Sequence, residues 1–246
     1  MLSRHFIDAH DAVFVLTAAG FDERQRSTTE QLGSGSFEFV FGVNMKDVAL
    51  EQLRADGVYD EPRAISLNRG NHPMSLGEVC CSMGHNIIYH RMEEQGIERA
   101  LIFEDDVTVA VEEEERISAA IADVPSDAEL VYWDWSGWEY RPWYATVKEN
   151  LYYLQHRLGL MKMNPTMISN MFPRPYNASF MVAGRNFCTG AYSITLAGAR
   201  KLLILNEPIA LQSDNAIMHA CLNGELRCYL SKTRFFSQHA IASLIR

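Results

Sequence analysis

Short apolar runs closed by turn residues alternate along this chain with stretches of helical periodicity. Residues 12 to 16 (AVFVL) read as a buried strand between Asp11 and the turn at 17 to 20. Residues 37 to 43 (FEFVFGV) read as a second strand. A helix is predicted over 75 to 95, where Ser75 caps it, Glu78 completes a capping box and Gly96 ends it. Leu76, Val79, Cys80, Met83 and Ile87 recur on it at helical spacing and predict its buried face. Residues 100 to 103 (ALIF) read as a strand, 111 to 122 as a charged amphipathic helix and 130 to 135 (LVYWDW) as a strand. Toward the C-terminus come a strand at 189 to 195, a helix at 196 to 205, a short helix at 214 to 222 and a strand at 226 to 230. Residues 137 to 187, rich in aromatics, Asn, Pro and Met, keep no clear period and predict a long excursion with some helix. Alternating strands and helices predict an α/β sandwich. No internal repeat or linker divides it, so 1 to 246 reads as one domain.

Composition narrows the class. The 246 residues can bury a sizeable core, and 48% hydrophobic with 22% charged is ordinary for a globular chain. A net charge of -9 argues against nucleic acid as a partner, which calls for a basic face. No stretch approaches ~20 apolar residues, and the first residues show no signal-peptide core, so a cytoplasmic protein is expected. The five cysteines are odd in number, two of them adjacent, which suits reduced thiols. A zinc reading of Cys80 or Cys81 with His85 and His90 lacks any CxxC and is disfavoured by spacing.

The chemistry concentrates where the strand at 100 to 103 runs into Glu104, Asp105 and Asp106. In open α/β sheets ligands bind at the carboxyl ends of strands. Crowded carboxylates repel, and a hard divalent cation relieves them. A cation held there can bind a diphosphate. A solvated turn or a set of helix-capping acids accounts for the same triplet.

The surrounding residues resemble glycosyltransferase family 25. The first block runs from Leu76-Gly77-Glu78-Val79 through Ser82-Met83-Gly84-His85 into Ala100 to Val107. The second is Thr189 to Thr195 with Ala197-Gly198-Ala199-Arg200-Lys201-Leu202-Leu203, and the third Ser213-Asp214-Asn215 with a tail from Ser237-Gln238-His239 to Ser243. The resemblance implies an A-type glycosyltransferase fold, a Rossmann-like mixed sheet flanked by helices. Its donor-binding half would be about 10 to 135 and its acceptor side about 136 to 246. It implies a UDP-sugar donor, galactose foremost, with Mn2+ or Mg2+ at a DxD-like motif, here Glu104-Asp105-Asp106. It also implies inversion at the anomeric carbon and a saccharide acceptor such as a lipooligosaccharide, capsule or glycoprotein glycan.

Roles follow from the chemistry. Asp106 would hold the metal that stabilises the leaving diphosphate, and Glu104 or Asp105 would touch the ribose or the metal's waters. His239 is a further candidate ligand, or a surface histidine. Asp214 is the candidate base for the acceptor hydroxyl, with Asp134 second, although Ser213 and Asp214 are also ordinary helix-capping residues. Thr17 and its loop would meet uracil or ribose. Arg24 or Arg26 would reach a phosphate, unless DERQR is simply a solvated helix face. His85 belongs near the donor pocket, or in the core. Aromatics between Trp133 and Tyr144 offer a sugar-stacking wall, a core or a patch for peripheral contact with the inner face of a membrane, as a lipid-linked acceptor would require. A metal-dependent phosphohydrolase or nucleotidyltransferase would want a second acidic cluster, and Glu112 to Glu115, Asp123 and Asp127 read as a solvated face instead. A non-catalytic sugar-binding member is the remaining alternative.

Overall fold

The structure, a computed structural model, describes residues 1 to 68 and 70 to 238. The chain opens with helix α1 (Arg4–Asp8), strand β1 (Ala12–Thr17), helix α2 (Asp22–Leu32) and strand β2 (Glu38–Phe41). Helices α3 (Leu50–Ala55) and α4 (Glu61–Leu67) lead to the long α5 (Leu76–Gln95) and to β3 (Arg99–Glu104). There follow β4 (Val107–Val109), α6 (Glu114–Ala122), β5 (Leu130–Tyr132) and β6 (Ser136–Gly137). The excursion holds α7 (Ala145–Arg157), α8 (Pro165–Ser169), β7 (Arg174–Pro175) and β8 (Phe180–Val182). Then come β9 (Asn186–Phe187), β10 (Ala191–Thr195), α9 (Leu196–Asn206), α10 (Ser213–Leu222), β11 (Cys228–Ser231) and β12 (Phe236–Gln238).

Eight strands form one mixed sheet in the order β2-β1-β3-β10-β5-β11-β8-β7. β2, β1 and β3 are parallel, and β10 runs antiparallel between β3 and β5. β10 comes late in the sequence yet lies between two early strands, so the halves at 10 to 135 and 136 to 246 interleave in one sheet. Both faces are covered, which explains why the central strands read as unbroken apolar runs. Phe14, Leu16, Ile102, Tyr132 and Tyr192 pack under Ile88 and Met92 of α5, Leu202 of α9 and Ile217 of α10. Val13, Val15, Leu101, Phe103 and Val131 pack under Phe6, Leu32 and Ile117 on the other face.

The helix at 75 to 95 forms as its caps predict. Ser75 Oγ accepts from Glu78 N, Glu78 Oε2 accepts from Ser75 N at 2.7 Å, and Gly96 closes it at φ 66°. Its buried face differs from the apolar stripe. Leu76, Met83 and Ile87 are half-buried, while Ser82, His85 and Asn86 are buried. The helix packs on the sheet and beside α9 and α10, so a wide arc is enclosed, and its polar members find partners such as Leu211 O for Ser82.

The strand expected to reach residue 135 stops at Tyr132. The N–H groups of Trp133 and Asp134 both donate to Ala191 O, at 3.0 and 3.1 Å, a bulge-like crowding that ends the ladder. The excursion supplies α7 and α8 and also returns to the sheet, where β8 and β7 build its far edge. The two-residue ribbon of β6 and β9 closes its base.

Candidate functional site

Because β10 is antiparallel to β3, the residues leading into it share the sheet edge with the carboxyl ends of β1 and β3. At that edge opens a cleft of about 520 Å3, a size that holds a nucleotide-sized ligand. Thr17, Phe21, Arg24, Asn44, Cys81, Glu104, Asp105, Asp106, Cys188, Thr189, Asp214 and Gln238 all line it. Sequence positions from 17 to 238 thus converge on one place.

The three carboxylates face different partners. Asp105 is buried and turned inward: Thr17 Oγ1 donates to its Oδ2 at 2.6 Å, and Arg24 Nη1 lies 2.9 Å from its Oδ1. Burial raises its pKa, against the pull of Thr17 and Arg24. Asp106 meets Arg24 Nη2 at 2.8 Å, and burial with the nearby Glu104 charge still pushes its carboxyl up to about 6. Glu104 differs. Burial would raise it, but His85, the Thr189 hydroxyl that donates to Oε1, and Arg24 outweigh burial and hold it below the usual range.

Glu104 Oε2 and Asp106 Oδ1 converge on one point. Gln238 Nε2 donates to both, at 3.0 and 3.2 Å. Gly190 makes this possible: a Cβ there would come within 2.8 Å of Gln238 Cγ and 3.1 Å of Asp134 Oδ2. Two carboxylate oxygens around one donor, with Asp106 raised by burial and by the nearby Glu104 charge, form an oxygen set that fits a hard divalent cation. Such an ion would be held by Asp106 and Glu104.

Asp214 lines the same cleft in the first turn of α10. Its Oδ1 accepts from Asn215 Nδ2 at 3.0 Å, and burial pushes its carboxyl up to about 6. A carboxylate so poised exchanges protons near neutral pH. Asp134 is buried beside Cys188, whose Sγ lies 3.4 Å from Asp134 Oδ2, and it does not line the cleft.

Other residues singled out in the sequence fall elsewhere. Arg26 is exposed and does not line the cleft, because Arg24 takes the inward face of α2. His85 is buried beneath the cleft rather than in its wall. His239 lies outside the described residues. Trp133 and Trp135 are core, Trp138 packs on Phe172, and Tyr140 and Trp143 are exposed. None of these aromatics lines the cleft, and among the described residues its aromatic ring is Phe21. His90 pairs with Glu207 at 2.8 Å, and all five cysteines are free. Glu112 to Glu115 are exposed and bring no second acidic cluster to the cleft.

Sequence reasoning gave no role to Gln238, Thr189 or Cys188. Gln238 sits 134 positions from Glu104, and only the β4–β12 pairing, which sets Gln238 opposite Val107, brings it in. Cys188 has φ 100°, rare for a residue with a side chain, and such strain gathers at functional sites.

A mixed sheet flanked by helices, with its acidic cluster at one edge, is the A-type glycosyltransferase fold. The chain belongs to glycosyltransferase family 25 (LPS biosynthesis protein), whose model matches residues 12–217. Among curated proteins it is similar to the Inactive glycosyltransferase 25 family member 3 of Homo sapiens, 28% identical over 200 residues. The match covers 78% of this chain and 28% of that protein. The Mus musculus protein of the same name is 27% identical over the same shares. The Probable inactive glycosyltransferase 25 family member 3 of Rattus norvegicus is 26% identical, over 78% of this chain and 30% of its own length. The chain thus spans less than a third of the relatives it matches.

Proposed function

We propose that this protein is an inverting glycosyltransferase that moves a sugar, galactose foremost, from a UDP-sugar to a saccharide acceptor. The observation that carries this reading is the convergence of Glu104 and Asp106 on one point in a cleft that Asp214 also lines. In this reading Asp214 takes the proton of the acceptor hydroxyl, whose oxygen bonds to the sugar C1 as the C1–phosphate bond breaks. The nucleotide diphosphate leaves with that bonding pair. Mn2+ or Mg2+ held by Asp106 and Glu104 would supply charge to the leaving diphosphate. Arg24, poised between Asp105 and Asp106, is a cationic side chain in reach of a phosphate in the same cleft.

The acceptor is proposed to be a glycan presented at a membrane surface. No helix among the described residues is long and apolar enough to cross a membrane. Helix α7 nonetheless exposes Val147, Leu151 and Leu154, with its C-cap Leu158 continuing the helical spacing and Trp143 94% exposed just before it. Residues 138 to 162 carry Arg141, Lys148, Arg157 and Lys162 against Glu139 and Glu149, in a chain of net charge -9. An apolar stripe with basic flanks suits an anionic bilayer surface. The segment leaves and rejoins the fold through β6 and β9, and Cys188 and Thr189, next along the chain, line the cleft.

Two observations favour a second reading, a sugar-binding protein without turnover: the matched relatives are named inactive, and Arg24 already pairs with both Asp105 and Asp106. UDP release from a panel of UDP-sugars, with Mn2+, Mg2+ or chelator, separates the two. Release from one donor that needs metal and disappears in Asp106→Asn supports transfer. Metal-dependent UDP binding by calorimetry without release supports the binding reading, and neither result would remove both.

A further inference from the structure

Beneath the carboxylates lies a buried nitrogen with no partner among the described residues. His85 is 1% exposed, and its Nδ1 meets the Tyr192 hydroxyl at 2.8 Å. Tyr192 is itself held by the Tyr89 hydroxyl at 2.8 Å. Among the described residues His85 Nε2 has no hydrogen-bond partner, although it is fully enclosed. A buried polar atom left unpaired is costly and calls for an explanation.

Nε2 faces Glu104 Oε1 at 3.6 Å. That is too long for a hydrogen bond. It is the spacing of two ligands on one ion, since bonds of about 2.0–2.2 Å meeting at a tetrahedral angle set their donor atoms about 3.3–3.6 Å apart. The third neighbour is Cys81 Sγ, and the three donor atoms lie within 4.8 Å of one another. Cys81 and His85 stand four residues apart on α5, so both project from one face. The absence of CxxC and the spacing to His90, which pairs with Glu207 instead, weigh against the zinc set read from the sequence but not against this one, because Cys81 and His85 share a face and the carboxylate comes from a distant strand. The Tyr192 contact at Nδ1 is the kind of outer hydrogen bond that orients a metal-bound imidazole.

We propose that Cys81, His85 and Glu104 form a cation site for a borderline-soft divalent ion of the Zn2+ class. Sulfur, imidazole and one carboxylate select such an ion, whereas the oxygen pair of Glu104 and Asp106 suits Mn2+ or Mg2+. On binding, the Cys81 thiol proton passes to solvent and the sulfur lone pair goes to the ion. Cys81 and Glu104 also line the cleft, so a fourth ligand would arrive from that side. Glu104 turns Oε1 toward His85 and Oε2 toward Gln238, and one carboxylate therefore faces both sites. The site does not depend on the transferase reading and stands equally for a protein that only binds sugar.

The test uses the full chain, titrated with Co2+ as a spectroscopic stand-in for Zn2+. One equivalent is expected to give thiolate-to-cobalt charge-transfer absorption that Zn2+ abolishes. The band is expected to vanish in Cys81→Ser and to persist in Cys188→Ser and Asp106→Asn. In parallel, Zn2+ and not Mg2+ is expected to slow alkylation of Cys81 in the unaltered protein at least tenfold, read by peptide mass spectrometry, which requires no variant to fold. Absence of the band at one equivalent, its survival in Cys81→Ser, or equal alkylation of Cys81 with and without Zn2+ overturns the proposal.

Discussion

Asp214 shows how this cleft sets chemistry against stability at one side chain. Burial lifts its carboxyl to about 6, far above the ordinary aspartate value of 3.8. The folded state therefore binds that proton more tightly than the unfolded chain. The resulting stabilisation is fully present below pH 3.8 and is lost as pH rises through about 6. At neutral pH the charged carboxylate is a liability of up to about 3 kcal/mol. Asp214→Asn should thus raise the melting temperature at pH 7.5, with a gain that shrinks toward pH 4, as a pH series of thermal melts would reveal. The same variant should lower donor turnover by about 10²–10⁴-fold if Asp214 is the base. A melt that falls at pH 7.5 would mean that the carboxylate is held by contacts stronger than its burial cost.

Gly190 belongs to the same scale. Its missing side chain lets Gln238 sit over Glu104 and Asp106. Gly190→Ala should displace Gln238 and weaken metal-dependent UDP binding about tenfold, measured by calorimetry, with little change in far-UV circular dichroism. Unchanged affinity would show that Gln238 can yield without disturbing the carboxylates.

Among the elements, α5 and α7 differ in what holds them. α5 is capped at both ends and enclosed by sheet and helices, so Ser75→Ala should cost about 1 kcal/mol in chemical denaturation through loss of its capping box. α7 is held on one side by Ala145 and Tyr152 against Phe172 and Trp138, and it leaves its leucines in solvent. Replacing Leu151 and Leu154 together by Glu should leave the melting temperature within about 1 °C, because no buried packing is lost. It should abolish co-sedimentation with vesicles rich in anionic lipid. If the unaltered protein ignores such vesicles but self-associates through this face, the stripe is a protein interface and the membrane proposal fails.

For the molecule as a whole, the cleft is a knot in the chain. Its walls come from β1, α2, α5, β3, the lead into β10, α10 and β12, between Thr17 and Gln238. A ligand there ties both ends of the sequence to the folded state. UDP with Mn2+ at about 100 times the dissociation constant should stabilise the protein by about 2.7 kcal/mol, and chelator should reverse the gain. Thermal melts with UDP alone, Mn2+ alone and both together check this.

The sequence by itself determined most of the central elements and the place of the acidic cluster, because those signals are local. Hydrophobic period marks β1, β3 and α9, the capping box and Gly96 fix α5, and three carboxylates after a buried strand announce a ligand edge. Glu104, Asp106 and Asp214 could be named as candidates from such signals together with the family resemblance, and Arg24 only as one of a pair with Arg26. Tertiary structure alone decided which of Arg24 and Arg26 turns inward and which aromatics are core. It also decided that Cys81 and His85 meet Glu104 and that Gln238 closes the site. The reason is physical. Propensity and capping act over a few residues, whereas the antiparallel insertion of β10 and the β4–β12 pairing join positions 88 to 131 apart, through contacts that no local pattern encodes.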